Sequence, residues 1–171
     1  MIEGGMGGGK TCTGLHFERG KDVASMVKEL PGYKVLGEDV FYGDELVAKC
    51  MKKHGLYRFL QSKKIDYTKI ISKKILPDDA VLVLSKETLY IIEMKYQQTA
   101  GSVDEKLQTC DFKRKQYAKL MSPLGIEVEY VYLLNDWFRK PEYKDVLDYI
   151  VSVGCHYYFD CLPLEKIGLP T

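Results

Sequence analysis

The sharpest hydrophobic pattern along the chain lies between Ile75 and Tyr96. Ala80-Val81-Leu82-Val83-Leu84 is an unbroken apolar run, Ser85-Lys86-Glu87-Thr88 reads as a tight turn, and Leu89-Tyr90-Ile91-Ile92 is a second apolar run. Strands that are apolar at odd and even positions alike are covered on both faces, so this segment predicts a hairpin at the centre of a sheet. Upstream, Leu15, Val23, Met26, Val27 and Leu30 recur near helical spacing and predict a helix over 13–30, ended by Pro31-Gly32. Residues 33–42 suit a strand. Leu46, Val47, Cys50, Met51 and His54 share one helical face and predict a helix over 44–61, with Gly55 as a point of interruption. Downstream, Ser102-Val103-Asp104-Glu105 has the spacing of a capping box and opens a helix to about Met121, closed by Ser122-Pro123. Val128–Leu134 reads as a strand, Pro141 opens a helix reaching Val153 with Gly154 as its C-terminal cap, and Cys155–Phe159 is a short strand. A hairpin followed by alternating helices and strands is the signature of a mixed α/β domain with right-handed crossovers.

A length of 171 residues fits one domain, large enough to bury a core without disulfides or metal. With 46% hydrophobic and 29% charged residues, the composition excludes a disordered or collagen-like chain. No apolar run approaches the roughly 20 residues of a membrane helix. Met1-Ile2-Glu3 followed by glycines lacks the apolar core of a signal peptide, so a cytoplasmic location without membrane contact is expected. Cys12, Cys50, Cys110, Cys155 and Cys161 are scattered and never spaced Cys-x-x-Cys, which reads as reduced thiols. With only His16, His54 and His156 beside them, a structural zinc site is not expected.

A net charge of +1 means that any nucleic-acid role must rest on local patches. Such patches exist at Lys52-Lys53 and Lys113-Arg114-Lys115, and between Gln61 and Ile75, where five lysines accompany one aspartate. Solvated lysine faces would account for the same residues. Gly4-x-x-x-x-Gly9-Lys10-Thr11 matches the phosphate-binding loop pattern. That loop works when a buried strand delivers it to a helix N-terminus, and three residues before the first glycine are too few for a central strand. The segment 1–12 is therefore read as a glycine-rich arm, and no nucleotide is expected.

Two charges interrupt the second strand of the hairpin. Glu93 and Lys95 are two apart and project from one face. Asp78, directly after Pro77, precedes the partner strand. A turn centred on Lys86-Glu87 makes opposed residue numbers sum to 173 and sets Asp78 across from Lys95. A turn shifted by one residue at each strand end makes them sum to 171 and sets Asp78 across from Glu93. Any even-length loop leaves Asp78, Glu93 and Lys95 on one face, whereas an odd-length loop favours Asp79. Buried charges are costly, so this cluster is either an internal salt bridge or a site. As a site it suits magnesium, a hard cation that takes oxygen ligands, with a lysine beside it to act on a water and on developing charge.

Pro77-Asp78, fourteen residues, then Glu93-Met94-Lys95 resembles the core of the PD-(D/E)xK nucleases. Gly4 to Glu18, and Glu93-x-Lys95-x-Gln97-Gln98 followed by Gly101 to Leu107, are similar to segments of small type II restriction endonucleases. The resemblance covers about two-thirds of the chain. It implies a restriction-endonuclease-like core: a mixed central sheet flanked by helices. It also implies magnesium-dependent endonuclease activity on double-stranded DNA, as in a restriction system. By that analogy Asp78 and Glu93 ligate the metal, the Met94 carbonyl joins them, and Asp79 or Glu18 is a further candidate, Glu18 lying on the helix before the hairpin. Lys95 positions the water. Gln97 and Gln98 leave the strand beside the metal to meet phosphate or base. Lys106, Lys113, Arg114, Lys115 and Lys119 on the following helix, with Lys10 on the arm, supply cations for backbone phosphates. Duplex DNA with two scissile strands favours a homodimer. The alternatives are a junction resolvase, a repair or defence nuclease on the same fold, and a binding or phosphate-loop module in which the charged hairpin is structural.

Overall fold

The computed structural model describes residues 12–171. The glycine-rich arm, the phosphate-loop pattern and Lys10 lie outside the described residues. A seven-stranded sheet in the order β2-β3-β4-β5-β6-β7-β8 organises the fold. Its strands are β2 (Tyr33–Leu36), β3 (Asp39–Tyr42), β4 (Glu45–Cys50), β5 (Asp79–Val83), β6 (Thr88–Lys95), β7 (Glu127–Leu134) and β8 (His156–Phe159). From β2 to β6 neighbours run antiparallel; β6, β7 and β8 run parallel. Parallel neighbours require crossovers, which α3 (Val103–Leu107) with α4 (Cys110–Met121), and then α5 (Lys144–Ser152), provide.

One face of the sheet, with Ala80, Leu82, Leu89, Ile91, Tyr130 and Tyr132, packs under α4, α5 and α2 (His54–Ser62). The other, with Val81, Val83, Tyr90, Ile92, Val131 and Leu133, packs under α1 (Val23–Lys28) and the C-terminal segment. Successive residues of β5 and β6 thus enter different cores, as expected for a doubly covered hairpin. The sheet is mixed and helices flank it on both faces, as expected of a restriction-endonuclease-like core.

Four local expectations are corrected. Residues 33–42 are not one strand but two, β2 and β3, folded back on each other at Gly37, which takes φ 61°. Residues 13–30 are not one helix: Gly14–His16 form β1, which pairs antiparallel with β9 (Cys161–Pro163), and α1 starts only after Asp22 caps it. Gly14 explains the strand, because a Cβ there would lie 2.2 Å from the Leu162 carbonyl oxygen. Residues 44–61 divide into β4 and α2: pairing on both sides with β3 and β5 overrides the helical spacing of Leu46, Val47 and Cys50. The helix from Ser102 breaks at Gln108-Thr109, where the Tyr132 hydroxyl approaches the carbonyls of Lys106 and Leu107, both at 3.4 Å.

The cysteines are corrected too. The β1–β9 pairing carries Cys12 to Cys161, 149 residues away, and the two form a disulfide. Cys50, Cys110 and Cys155 are free thiols. Among the described residues, no helix is long and apolar enough to cross a membrane.

Candidate active site

The loop joining β5 to β6 sets the geometry. Leu84–Lys86 make a 3-10 turn and Glu87 adopts left-handed φ, so four residues separate Val83 from its partner Thr88. The register runs from Val83↔Thr88 to Asp79↔Ile92, and continued one residue beyond the start of β5 it sets Asp78 on the side of Glu93. Asp78, Glu93 and Lys95 therefore share the face that carries Ala80, Leu82, Leu89 and Ile91. Asp79 projects to the other face.

Glu93 is a buried carboxylate at the end of β6. Its Oε1 accepts the Tyr130 hydroxyl and lies 3.0 Å from Lys113 Nζ on α4. Lys95 Nζ is 3.2 Å from Oε2, yet that oxygen has no hydrogen bond of acceptable geometry. The phenols of Tyr130, Tyr117 and Tyr132 all feel the Glu93 charge. Burial, then that charge, pushes the Tyr130 and Tyr132 hydroxyls far above the usual range, so Tyr130 remains a donor. Desolvation raises Tyr117 likewise, and Asp78 is among the charges acting on it.

Asp78 is half exposed and pairs with Lys53. Lys53 stands just before α2 with φ 52° and ψ −123°, a conformation suited to glycine. Its N–H donates to the Pro77 carbonyl at 2.8 Å, which ties the start of α2 to the chain entering β5. The cluster thus holds two carboxylates, Asp78 and Glu93, and three ammonium groups, Lys53, Lys95 and Lys113. Its net positive charge suits an anionic substrate.

Asp79 has another task. Its Oδ1 accepts the N–H of Val23, the first residue of α1, at 3.1 Å, while Asp22 caps the same helix through Ser25 N–H and pairs with Lys52. Burial pushes the Asp79 carboxyl up to about 7, against the pull of the Val23 N–H. Sheet alternation sends it to the helix on the far face, away from Glu93.

The remaining candidates divide. Glu18 lies on an exposed loop, not on a helix, and pairs with Lys21 at 3.1 Å. The Met94 side chain packs into the far core. Gln97 is buried: its backbone exchanges hydrogen bonds with the Asn135 amide at 3.1 and 2.8 Å, its Nε2 donates to the Thr99 carbonyl, and its Oε1 has no partner. Gln98 is exposed. Lys113, expected among the cations for backbone phosphates, is turned by α4 onto Glu93. Arg114 is held by Asp111 and the Val153 carbonyl, and Lys115 pairs with Asp111 at 2.8 Å. Lys106 is exposed on α3.

Sequence reasoning missed Lys53, Tyr130 and Tyr117 as neighbours of the carboxylates. Only Tyr130 carried a signal: a hydroxyl in an apolar strand needs a buried partner. No group of three or more metal-ligating side chains exists among the described residues. Two carboxylates, one with an unbonded buried oxygen, still fit magnesium, which takes one or two carboxylates and completes its shell with water and phosphate oxygens.

Residues 37–117, a span that includes all five charges of the cluster, match the family model of the PD-(D/E)XK nuclease superfamily domain. No curated protein and no solved structure matches the chain.

Proposed function

From a chain that carries a PD-(D/E)XK nuclease superfamily domain, we propose a magnesium-dependent endonuclease that cuts double-stranded DNA, of the sequence-specific restriction type. The observation that carries this reading is the Glu93 carboxylate: buried at the end of β6, one register step beyond the Asp79↔Ile92 pair, with Lys95 3.2 Å from the oxygen that Tyr130 and Lys113 leave.

Nucleases of this superfamily typically use divalent metals. Asp78 and Glu93 would hold the ion, with the Met94 carbonyl as a third donor, and the ion would supply charge stabilisation for the attacked phosphate. Tyr130 and Lys113 hold Oε1 of Glu93, which leaves Oε2, beside Lys95, as the oxygen that would meet the ion. Lys95 positions the attacking water and faces the negative charge on the phosphate oxygens as the water oxygen bonds to phosphorus and the leaving oxygen departs; the water gives up one proton to solvent and the leaving oxygen takes one from it. The surplus of ammonium groups draws the phosphodiester in. Two such sites in a homodimer would cut both strands of a duplex.

The test is incubation of phage DNA with the protein and magnesium, beside Glu93→Gln and Lys95→Ala. Discrete fragments from wild type, with the rate falling at least a hundredfold in both folded variants, are expected. Smearing or a preference for branched DNA would displace the restriction reading. No cleavage by well-folded wild type with magnesium or manganese would overturn the nuclease.

A further inference from the structure

The lysine-rich stretch between Gln61 and Ile75 folds into one wall of a cavity that the catalytic cluster does not use. About 570 Å³ in volume, it lies between α2 and the segment that follows, and His54, Tyr57, Arg58, Lys64, Tyr67 and Lys74 line it. Such a volume accommodates a nucleotide unit.

Three features make it a cation-walled recess. Lys74 Nζ lies over two tyrosine rings, 4.5 Å from the centroid of Tyr57 and 4.9 Å from that of Tyr67. A cation so placed keeps its charge available to a further anion. Asp66, which also lines the cavity, remains an anion with its Oδ1 held by the N–H and hydroxyl of Thr68, and the cations Arg58, Lys64 and Lys74 outnumber it. Arg58 pairs with Glu38 at 3.3 Å, but both are exposed, and an exposed pair exchanges readily for phosphate.

Both ends of α2 are irregular in one way. Lys53 before it and Lys64 after it have φ of 52° and 61°, where glycine is favoured. The Ile65 N–H donates to the Leu60 carbonyl at 3.0 Å and closes the helix around Lys64. A lysine at such a position costs about 1 kcal/mol relative to glycine. Lys53 faces the site and Lys64 faces the cavity, so α2 presents a cation to each.

Recess and site adjoin. His54, which lines the recess, follows directly on Lys53, which pairs with Asp78.

We propose that this recess binds a nucleotide of the substrate DNA strand next to the scissile phosphate, its phosphate on Lys64, Lys74 and Arg58 and its sugar or base against Tyr67. The inference rests on the nuclease reading and names where the strand runs. Phosphate contacts of this kind hold the strand in register without reading sequence.

Lys64→Gly is the cleanest probe, because glycine relieves the backbone while deleting the charge. It is combined with Lys74→Ala and Arg58→Ala, and Lys166→Ala on the far face of the sheet is the control. Binding of a fluorescein-labelled DNA duplex is measured by anisotropy in EDTA across a salt series, with a thermal melt of each variant. The expected result is an unchanged or higher melting temperature for Lys64→Gly. In the triple variant, affinity should fall at least tenfold and the slope of log K against log salt should shrink by about 2 to 3. Unchanged affinity and slope in a folded triple variant, while wild type binds and cuts DNA, would overturn the recess and leave the nuclease standing. Wild type that neither binds nor cuts DNA would overturn the nuclease reading and the recess with it.

Discussion

Lys113 Nζ on α4 lies 3.0 Å from Glu93 Oε1 at the end of β6. This contact bridges the first crossover helix to the strand that carries the candidate metal ligand. It makes Lys113 a positioning residue rather than a phosphate contact. Lys113→Met should slow cleavage tenfold or more and lower the melting temperature, since it strips a partner from a buried carboxylate. The salt slope of DNA binding should stay put. Single-turnover kinetics with a binding isotherm separates the cases: a slope lower by about one with an unchanged rate would return Lys113 to phosphate binding. Lys115→Ala, whose partner Asp111 sits at the helix start, is the comparison that should leave the rate alone.

Lys53 should trade stability against metal affinity. Lys53→Gly relieves a strained backbone and is expected to raise stability by about 1 kcal/mol, whereas Lys53→Ala keeps the strain. Both variants free Asp78 from an ammonium that competes with a divalent cation. The magnesium concentration for half-maximal cleavage should fall severalfold in both, read from a magnesium titration beside urea melts. A higher magnesium requirement would mean that Asp78 does not hold the ion.

Asp79 sets a slope of stability with pH. Burial raises its carboxyl from 3.8 to about 7, so between those values the folded chain holds a proton that the unfolded chain has released. Stability is therefore lost as pH rises through that window. Asp79→Asn keeps an oxygen for the Val23 N–H and removes the titration. Urea unfolding in EDTA at pH 5 and pH 8 should show the variant gaining on wild type by on the order of 2–4 kcal/mol at the higher pH. An equal offset at both values would count against a buried, proton-binding Asp79.

The Cys12–Cys161 disulfide closes nearly the whole chain into a loop. Thiol titration of the unreduced, denatured protein should count three thiols, those of Cys50, Cys110 and Cys155. Reduction should cost about 4 kcal/mol of stability, seen as a melting temperature lower by roughly 10 °C. Five thiols in the unreduced protein would remove the bridge.

The buried hairpin was legible from the chain alone because its signal is local: two apolar runs, a turn between them, and charges at Glu93 and Lys95 that break the second. The strands β7 and β8 and the helix between them were legible for the same reason, through β-branched runs, Pro141 and Gly154, whereas the capping box expected at Ser102 does not form, since its side chain makes no cap hydrogen bond. Sequence also narrowed the register to even or odd loops, and so to Asp78 or Asp79. The choice fell to the backbone of four loop residues, where a 3-10 turn and a left-handed Glu87 make the count even. The first third of the chain misled, because β1 is a strand only through a partner far along the sequence, Leu162 for Leu15, and β4 is held between β3 and the distant β5, with Ala48 between Val40 and Val83. What surrounds Glu93 was hidden likewise. Tyr130 and Lys113 are 37 and 20 residues away, and only the parallel pairing of β7 with β6 and the packing of α4 bring them to one oxygen. Periodicity and capping act over a few residues and can be read in one dimension. Pairing across a sheet and the docking of a helix join residues by burial, which exists only once the chain has closed on itself.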